Sequence, residues 1–412
     1  MVFEALVREG PLDRKSLVDM TGLVDKTIGK VTRCEQDEGW LAFDTKTRKW
    51  SLGRSCGAVL AIAMGHESAR IALVDPHGRR LGEFHHDEFL LTSHQDGRGV
   101  RRSVAPSVFK ERLATALRNV MAQARKRSGE PLVRSCTIAW SAPIGADTEG
   151  PVWPLARSWR GVNLRGTVTE ALALAGVLDV PVFVANDADA MLLGEARWGV
   201  ARHACIAGGT VIGVLVRSGI GAATVSRGKL VQGAYGSAGE LGHVEVSPAI
   251  LQETGIDAQV VTNCYCGLPE SHLERYVSAR AIIDRLARFG VVSEDGSYSA
   301  RVRELTANHA DPRVIKEMEH AGHLIGWALR SPALMFGPSL VVLSAAPHHQ
   351  TLATSAAQAL SRLRPFAVPV SMGSPPPDGD WMTMLGAATI GIEQTVLPYL
   401  PGDVSYGRFL VS

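Results

Sequence analysis

At 412 residues the chain predicts two or three domains, and its 46% hydrophobic and 20% charged content is ordinary for a soluble globular protein. A net charge of +2 rules out a global basic field, though not a local basic face. The six cysteines are scattered apart from one close pair, which argues against a disulfide framework and for a reducing cytoplasm. The start Met1-Val2-Phe3-Glu4-Ala5 lacks the pattern of a signal peptide, no apolar stretch is long enough to span a bilayer, and there is no low-complexity tract or short repeat.

Residues 1–54 read as three helices and a hairpin. Phe3, Leu6 and Val7 sit at helical spacing, and Gly10-Pro11 stops that helix. Asp13 can cap a second helix holding Leu17, Val18 and Met20, which ends at Thr21-Gly22-Leu23. A third runs from about Val24 or Asp25 to Glu38, with Ile28, Val31 and Cys34 expected on its inner face. Trp40 to Phe43 and Trp50 to Leu52 flank a polar turn, a strand-turn-strand pattern. Together these make a winged helix-turn-helix. Lys26, Thr27, Lys30 and Arg33 fall off the apolar face of the third helix, where the N-terminal part of a recognition helix meets base edges. The wing turn offers Lys46, Arg48 and Lys49 to phosphates. The plainer reading is a solvated helix face and a charged turn, because the segment carries ten Lys/Arg against nine Asp/Glu, a net of +1.

The rest reads as two successive α/β halves, 55–200 and 201–412. In the first, Ala58 to Met64 and Ile71 to Val74 are strands around Gly65-His66-Glu67, Val108 to Arg125 is a helix, and Cys136 to Trp140 and Val180 to Ala185 are buried strands. In the second, Cys205-Ile206, Thr210 to Val216, Ala222 to Val225 and Leu340 to Leu343 are read as strands, with Gly219-Ile220-Gly221 a turn. Asn186-Asp187 follows a strand. There a carboxylate beside an amide can take or bind a hydroxyl proton, but both residues are also common helix caps.

A soft N/S ligand set lies further on. Gly239-Glu240-Leu241-Gly242-His243 precedes Cys264-Tyr265-Cys266-Gly267 and His272-Leu273-Glu274. Two thiols one residue apart, bracketed by imidazoles, suit four-coordinate structural Zn²⁺ on His243, Cys264, Cys266 and His272. A Cys-x-Cys by itself is as well explained by two small buried apolar side chains.

This stretch resembles the zinc signature of the ROK family (repressors, open reading frames and sugar kinases), and Thr21-Gly22-Leu23-x-x-x-Thr27 resembles the helix-turn-helix of its repressors. His272 stands where the family usually has a third cysteine, one residue further along, and the loop from His243 to Cys264 is longer than usual. In the helix-turn-helix, Val24 and Asp25 stand where the family commonly has Ser and a basic residue. The resemblance implies duplicated actin-like ATPase (ribonuclease H-like) domains with an interdomain cleft. It also implies that Asn186, Asp187, Glu240, His243 and Glu274 contact a sugar, with Asp187 the base in the kinases.

The nucleotide elements depart from that pattern. Ala63-Met64-Gly65-His66-Glu67 stands where the kinases carry Asp-x-Gly-Gly-Thr. His66 blocks close backbone approach, and a carboxylate about 4 Å from a phosphate charge costs on the order of 4 kcal/mol. Arg217-Ser218-Gly219-Ile220-Gly221 keeps part of the second phosphate loop, and Ser344-Ala345-Ala346 replaces a glycine pair. On the sugar side, Ser141 to Gly145 is an altered Gly-x-Pro-Gly loop, and Leu155-Ala156 replaces an Asn. The expectation is a cytoplasmic, non-enzymatic ROK-type transcriptional regulator, a homodimer or homotetramer that binds operator DNA and answers to a sugar or sugar derivative in the cleft. The alternative is an ATP-dependent sugar kinase with Asp187 as catalytic base.

Overall fold

In the computed structural model the described residues are 1–95, 101–144, 159, 161–233, 236–257, 262–264, 266–268, 270–362, 367–374 and 381–396. Gly145, Leu155, Ala156 and Tyr265 lie outside them.

The chain opens with helices α1 (Val2–Glu9), α2 (Arg14–Thr21) and α3 (Asp25–Asp37), then strands β1 (Leu41–Asp44) and β2 (Lys49–Leu52). Val2, Phe3, Leu6 and Val7 bury one face of α1. The Asp13 carboxylate caps α2 by accepting from the Ser16 amide at 2.8 Å. Gly22 ends the helix at φ 67°, a left-handed position that glycine takes without a Cβ clash. Leu12 bridges to Trp50 and adds a short third strand to the β1–β2 hairpin.

The inner face of α3 differs from expectation. Ile28 and Thr32 are buried, Val31 is half-buried, and Cys34 is exposed. Each three-residue step falls about 60° short of a full turn, so two steps from Ile28 carry Cys34 round to solvent.

The body holds β3 (Ala58–Met64), β4 (Ala69–Val74), β5 (Arg80–His86), β6 (Leu91–Gln95), β7 (Arg101–Ser103), α4 (Pro106–Ser128), β8 (Val133–Trp140), α5 (Leu164–Leu174), β9 (Val182–Asn186) and α6 (Asp187–Trp198). It continues with α7 (Arg202–Ile206), β10 (Thr210–Val216), β11 (Ile220–Ser226), β12 (Lys229–Leu230), α8 (Pro248–Thr254), α9 (Glu274–Val277), α10 (Ala279–Ala287) and α11 (Tyr298–Ala307). The last elements are α12 (Pro312–Ala328), α13 (Arg330–Phe336), β13 (Leu340–Ala345), α14 (Gln350–Ser361), β14 (Val370–Met372) and α15 (Trp381–Val396). Cys205-Ile206, expected as a strand, closes the short helix α7, with Cys205 buried and Ile206 exposed, because two apolar residues are too few to carry a period.

The two main sheets share one topology. The first runs β5-β4-β3-β8-β9 and the second β12-β11-β10-β13-β14. In each, three antiparallel strands continue into two parallel ones. This repeat is the duplicated actin-like α/β architecture. Alternate residues of β3 serve two cores: Leu60, Ile62 and Met64 face α4, while Val59, Ala61 and Ala63 face α15. Helix α15, from the end of the chain, thus returns to the first sheet and packs along α6, which also touches β10 and β11 of the second. The two helices nearly touch backbones, since a Cβ on Gly194 or Gly386 would collide with the Met382 or Ala190 carbonyl.

Candidate functional site

A cavity of about 260 Å³ lies between the halves. From the first half it is lined by Gly65, His66, Glu67, Arg70, Ser141, Asn186 and Asp187, and from the second by Arg217, Glu240, His243, Glu274 and Tyr298. All five residues expected at a sugar therefore meet in one space. Across its mouth Arg303 of α11 donates to Asp87, after β5, at 2.9 Å.

The capping role and the cleft position of Asn186 coincide. Its side-chain oxygen accepts from the Ala188 amide at 2.8 Å and its amide donates to the Ala142 carbonyl at 3.0 Å. Asp187 opens α6 with one carboxylate oxygen accepting from the Ser141 hydroxyl. Burial pushes its carboxyl above the usual range, opposed by the Ser141 hydrogen bond and the nearby Arg217 guanidinium. Glu240 and Asp189 are each pushed up to about 7, first by burial and then by Asp187 and a neighbouring glutamate.

His243, Cys264, Cys266 and His272 come together with one ligand atom each, all within 4.8 Å of one another. The sulfurs are 3.0 Å apart, and His272 Nδ1 lies 3.3 Å from Cys264 Sγ and 3.5 Å from Cys266 Sγ. His243 Nδ1 is 3.9 Å from Cys264 Sγ. Tetrahedral zinc would space such atoms roughly 3.3–3.8 Å apart, so the set fits it once the sulfurs part by less than about 1 Å. Burial first, then the Glu274 hydrogen bond, raises the Cys264 thiol well above its ordinary range, a cost that a bound cation offsets. His272, rather than Ser271, occupies the fourth corner, because the Ser271 hydroxyl pairs with Tyr276 Oη at 2.5 Å. The second nitrogen of His243 faces Glu240 at 3.5 Å, so the cluster and the cleft share a side chain and its orienting carboxylate.

The first-half phosphate element is a tight turn. Met64 pairs with Ala69, so only Gly65 to Ser68 connect β3 to β4, and the Gly65 amide donates to the Ser68 carbonyl at 3.0 Å. His66 is held neutral, its pKa pushed down to about 3 by burial with Arg280 adding to the effect. In the second phosphate element the Arg217 amide bonds the Gly219 carbonyl at 2.9 Å, and the Arg217 carbonyl accepts from Ala279 at 2.7 Å. Sequence reasoning did not single out the side chains of Arg70 and Arg217 as cleft residues. The available signal was a lone charge in or just after a strand otherwise made of apolar residues.

On the winged domain Lys26, Thr27, Lys30 and Arg33 are all exposed along α3, as are Lys46, Arg48 and Lys49 at the wing. Asp25, at the start of α3, is engaged by Arg14 of α2 at 2.8 Å. The wing turn is set by Asp44, whose carboxylate accepts from the Lys46 amide and the Thr47 hydroxyl, both at 2.8 Å.

The fold and cleft define a two-half, actin-like α/β protein carrying a winged helix-turn-helix at its start. The ROK family model matches residues 59–390, and the chain belongs to that family. It is 23% identical to the xylose repressor of Bacillus subtilis over 353 residues, which cover 83% of this chain and 80% of that repressor. It is 27% identical to a glucokinase of Halalkalibacterium halodurans over 196 residues, covering 45% of this chain and 53% of the kinase. A solved ROK family transcriptional regulator, described as a homolog of the E. coli MLC protein, superposes with a TM-score of 0.68 at 20% identity, covering 96% of both chains. Among the described residues no helix is long and apolar enough to cross a membrane.

Proposed function

We propose that this chain is a ROK-type transcriptional regulator that binds operator DNA and is controlled by a sugar or sugar derivative in the interdomain cleft. One observation carries the reading. A single chain joins an α3 that exposes Lys26, Lys30 and Arg33 to a cleft that keeps Asn186, Asp187, Glu240, His243 and Glu274 but carries His66 and Glu67 in the turn of the first phosphate element. In this reading Lys26, Thr27, Lys30 and Arg33 meet the major groove and Lys46 and Arg48 the phosphates. Structural Zn²⁺ on His243, Cys264, Cys266 and His272 braces the cleft wall. When bound, the metal supplies a fixed tetrahedral cross-link and no step of chemistry. The working units are 1–54, 55–200 and 201–412, with α15 the part of the last that packs on the first sheet. The protein works in the cytoplasm as a homodimer or homotetramer, because two matched half-sites need two winged domains.

The test is fluorescence anisotropy on the protein's own upstream DNA and on a scrambled duplex across a salt series. Tight, sequence-selective binding with a steep salt slope supports the regulator. Equal, weak binding to both duplexes refutes it. A sugar kinase with Asp187 as base is the second reading, favoured by the position of that carboxylate in the cleft. Turnover of a hexose in a coupled assay, lost in Asp187→Asn, would establish it instead.

A further inference from the structure

One helix runs from the cleft to the winged domain. α6 begins at Asp187, which lines the cavity, and ends at Trp198. After the turn at Gly199, α7 opens with Arg202. The Arg202 guanidinium donates to the backbone carbonyl of Glu9, the last residue of α1, and lies 3.8 Å from its carboxylate. Glu9 is buried, and so is Arg197 in the last turn of α6. Arg197 senses Glu393 of α15 as well as Arg202 and Glu9. Buried Glu9 thus meets the half-exposed Arg202 close to buried Arg197, and removing Arg202 leaves a buried charge short of a partner.

α6 is built to move as a unit. Its glycine contact with α15 fixes its sides. Fully buried Glu195 accepts from the Ser374 and Val200 amides, at 2.7 and 2.9 Å, and from the Ser374 hydroxyl at 2.9 Å. The helix is thereby tied to the end of β14 and to its own exit turn. The first half is tied to the winged domain too, and α15 touches α1 directly. Arg134 of β8 stacks over the Trp40 ring at 5.0 Å and donates to the Ser55 carbonyl, just past the winged domain, at 2.6 Å. Unlike those ties, α6 also packs on β10 and β11 of the second half. A change in the angle between the halves thus shifts α6 against points that hold the winged domain still.

We propose that α6 transmits the state of the cleft to the winged domain, with Arg202 as the positioning residue that pulls on Glu9. The proposal rests on the regulator reading for its purpose, but its test does not need the effector. Amide exchange of α1 is measured by mass spectrometry in the full-length chain, in Asp187→Asn, in Arg202→Ala and in the double variant. Asp187→Asn perturbs the cleft end of α6. With Arg202 present it is expected to change α1 exchange by about threefold or more, and with Arg202→Ala by less than about 1.5-fold. Should Arg202→Ala not fold, Arg202→Lys takes its place and is expected to reduce the coupling by half or more. Equal shifts in both backgrounds, or no shift with Arg202 present, overturn the relay. In parallel the four chains are titrated with D-glucose, D-xylose and N-acetyl-D-glucosamine. A chain that shows the coupling and binds none of these keeps the relay and loses that effector assignment.

Discussion

The two walls of the cleft have gone in opposite directions. On the second-half wall, Glu240 and Glu274 stand near His243, which is also a member of the Cys/His set. On the first-half wall, His66 and Glu67 stand where phosphate binding would need a bare backbone and a hydroxyl, while Ala63, at the carboxylate position, is buried on the α15 side of β3. Gripping hydroxyls needs only fixed acceptors and donors. Phosphate transfer also needs open amides and an unopposed field, and a carboxylate about 4 Å away works against that by about 4 kcal/mol. Recognition of hydroxyls therefore does not depend on the elements that phosphate transfer needs.

The largest effect is expected from removing the brace. Cys264→Ser with Cys266→Ser should take zinc from about one ion per chain to none. Structural zinc contributes apparent binding energy on the order of 10 kcal/mol, so the loop from Glu240 to Glu274 should lose its order, and sugar binding should be lost with it. Elemental analysis and calorimetry decide this. A metal-free variant with unchanged melting would show that the wall stands without a brace.

The opposite wall can be rebuilt. His66→Gly and Glu67→Thr together should tighten ATP binding about tenfold, since roughly a third of the ~4 kcal/mol Glu67 repulsion is worth about 1.4 kcal/mol. Isothermal titration of the wild-type chain and the double variant with ATP and Mg²⁺ measures it. No gain would place the main obstacle elsewhere, at Arg217 or Ser344-Ala345-Ala346.

Much of this contrast was legible in the sequence, because it is local. The Asp13 cap, the stop at Gly22 and the spacing of the Cys/His set each depend on a few neighbouring residues. What failed was phase and long-range packing. Cys34 was placed inside by counting in threes, and Cys205-Ile206 was read as a strand because two apolar residues carry no period. The return of α15 to the first sheet, the contact of Gly194 with Met382 and the reach of Arg202 to Glu9 join residues far apart in the chain, and no local pattern marks them. The cleft side chains Arg70 and Arg217 acquire meaning only when two sheets converge.

The winged domain offers a smaller effect that leaves both walls intact. Lys30→Ala plus Arg33→Ala should weaken operator binding and lessen its salt slope. Anisotropy at matched salt reads it, and an unchanged affinity would remove α3 from the interface.

The smallest expected effect is a pH dependence set between the two walls. Asp189 lies in the first turn of α6, and burial first, then Asp187 and Glu240, pushes its carboxyl up to about 7. In the unfolded chain it titrates near 3.9. Between those values the folded protein holds a proton that the unfolded chain has released, so stability must fall as pH rises through that window. The contribution is full below about 3.9 and gone above about 7. Asp189→Asn carries no such proton. Its urea midpoint should therefore decline less than that of the wild type between pH 5 and pH 8, with the variant gaining on the wild type at the higher pH. The side chain is only partly buried, so solvent keeps the difference small. Parallel curves would mean that water reaches Asp189 freely, and the acidic side of the cleft would then impose no proton cost on the helix that links it to the winged domain.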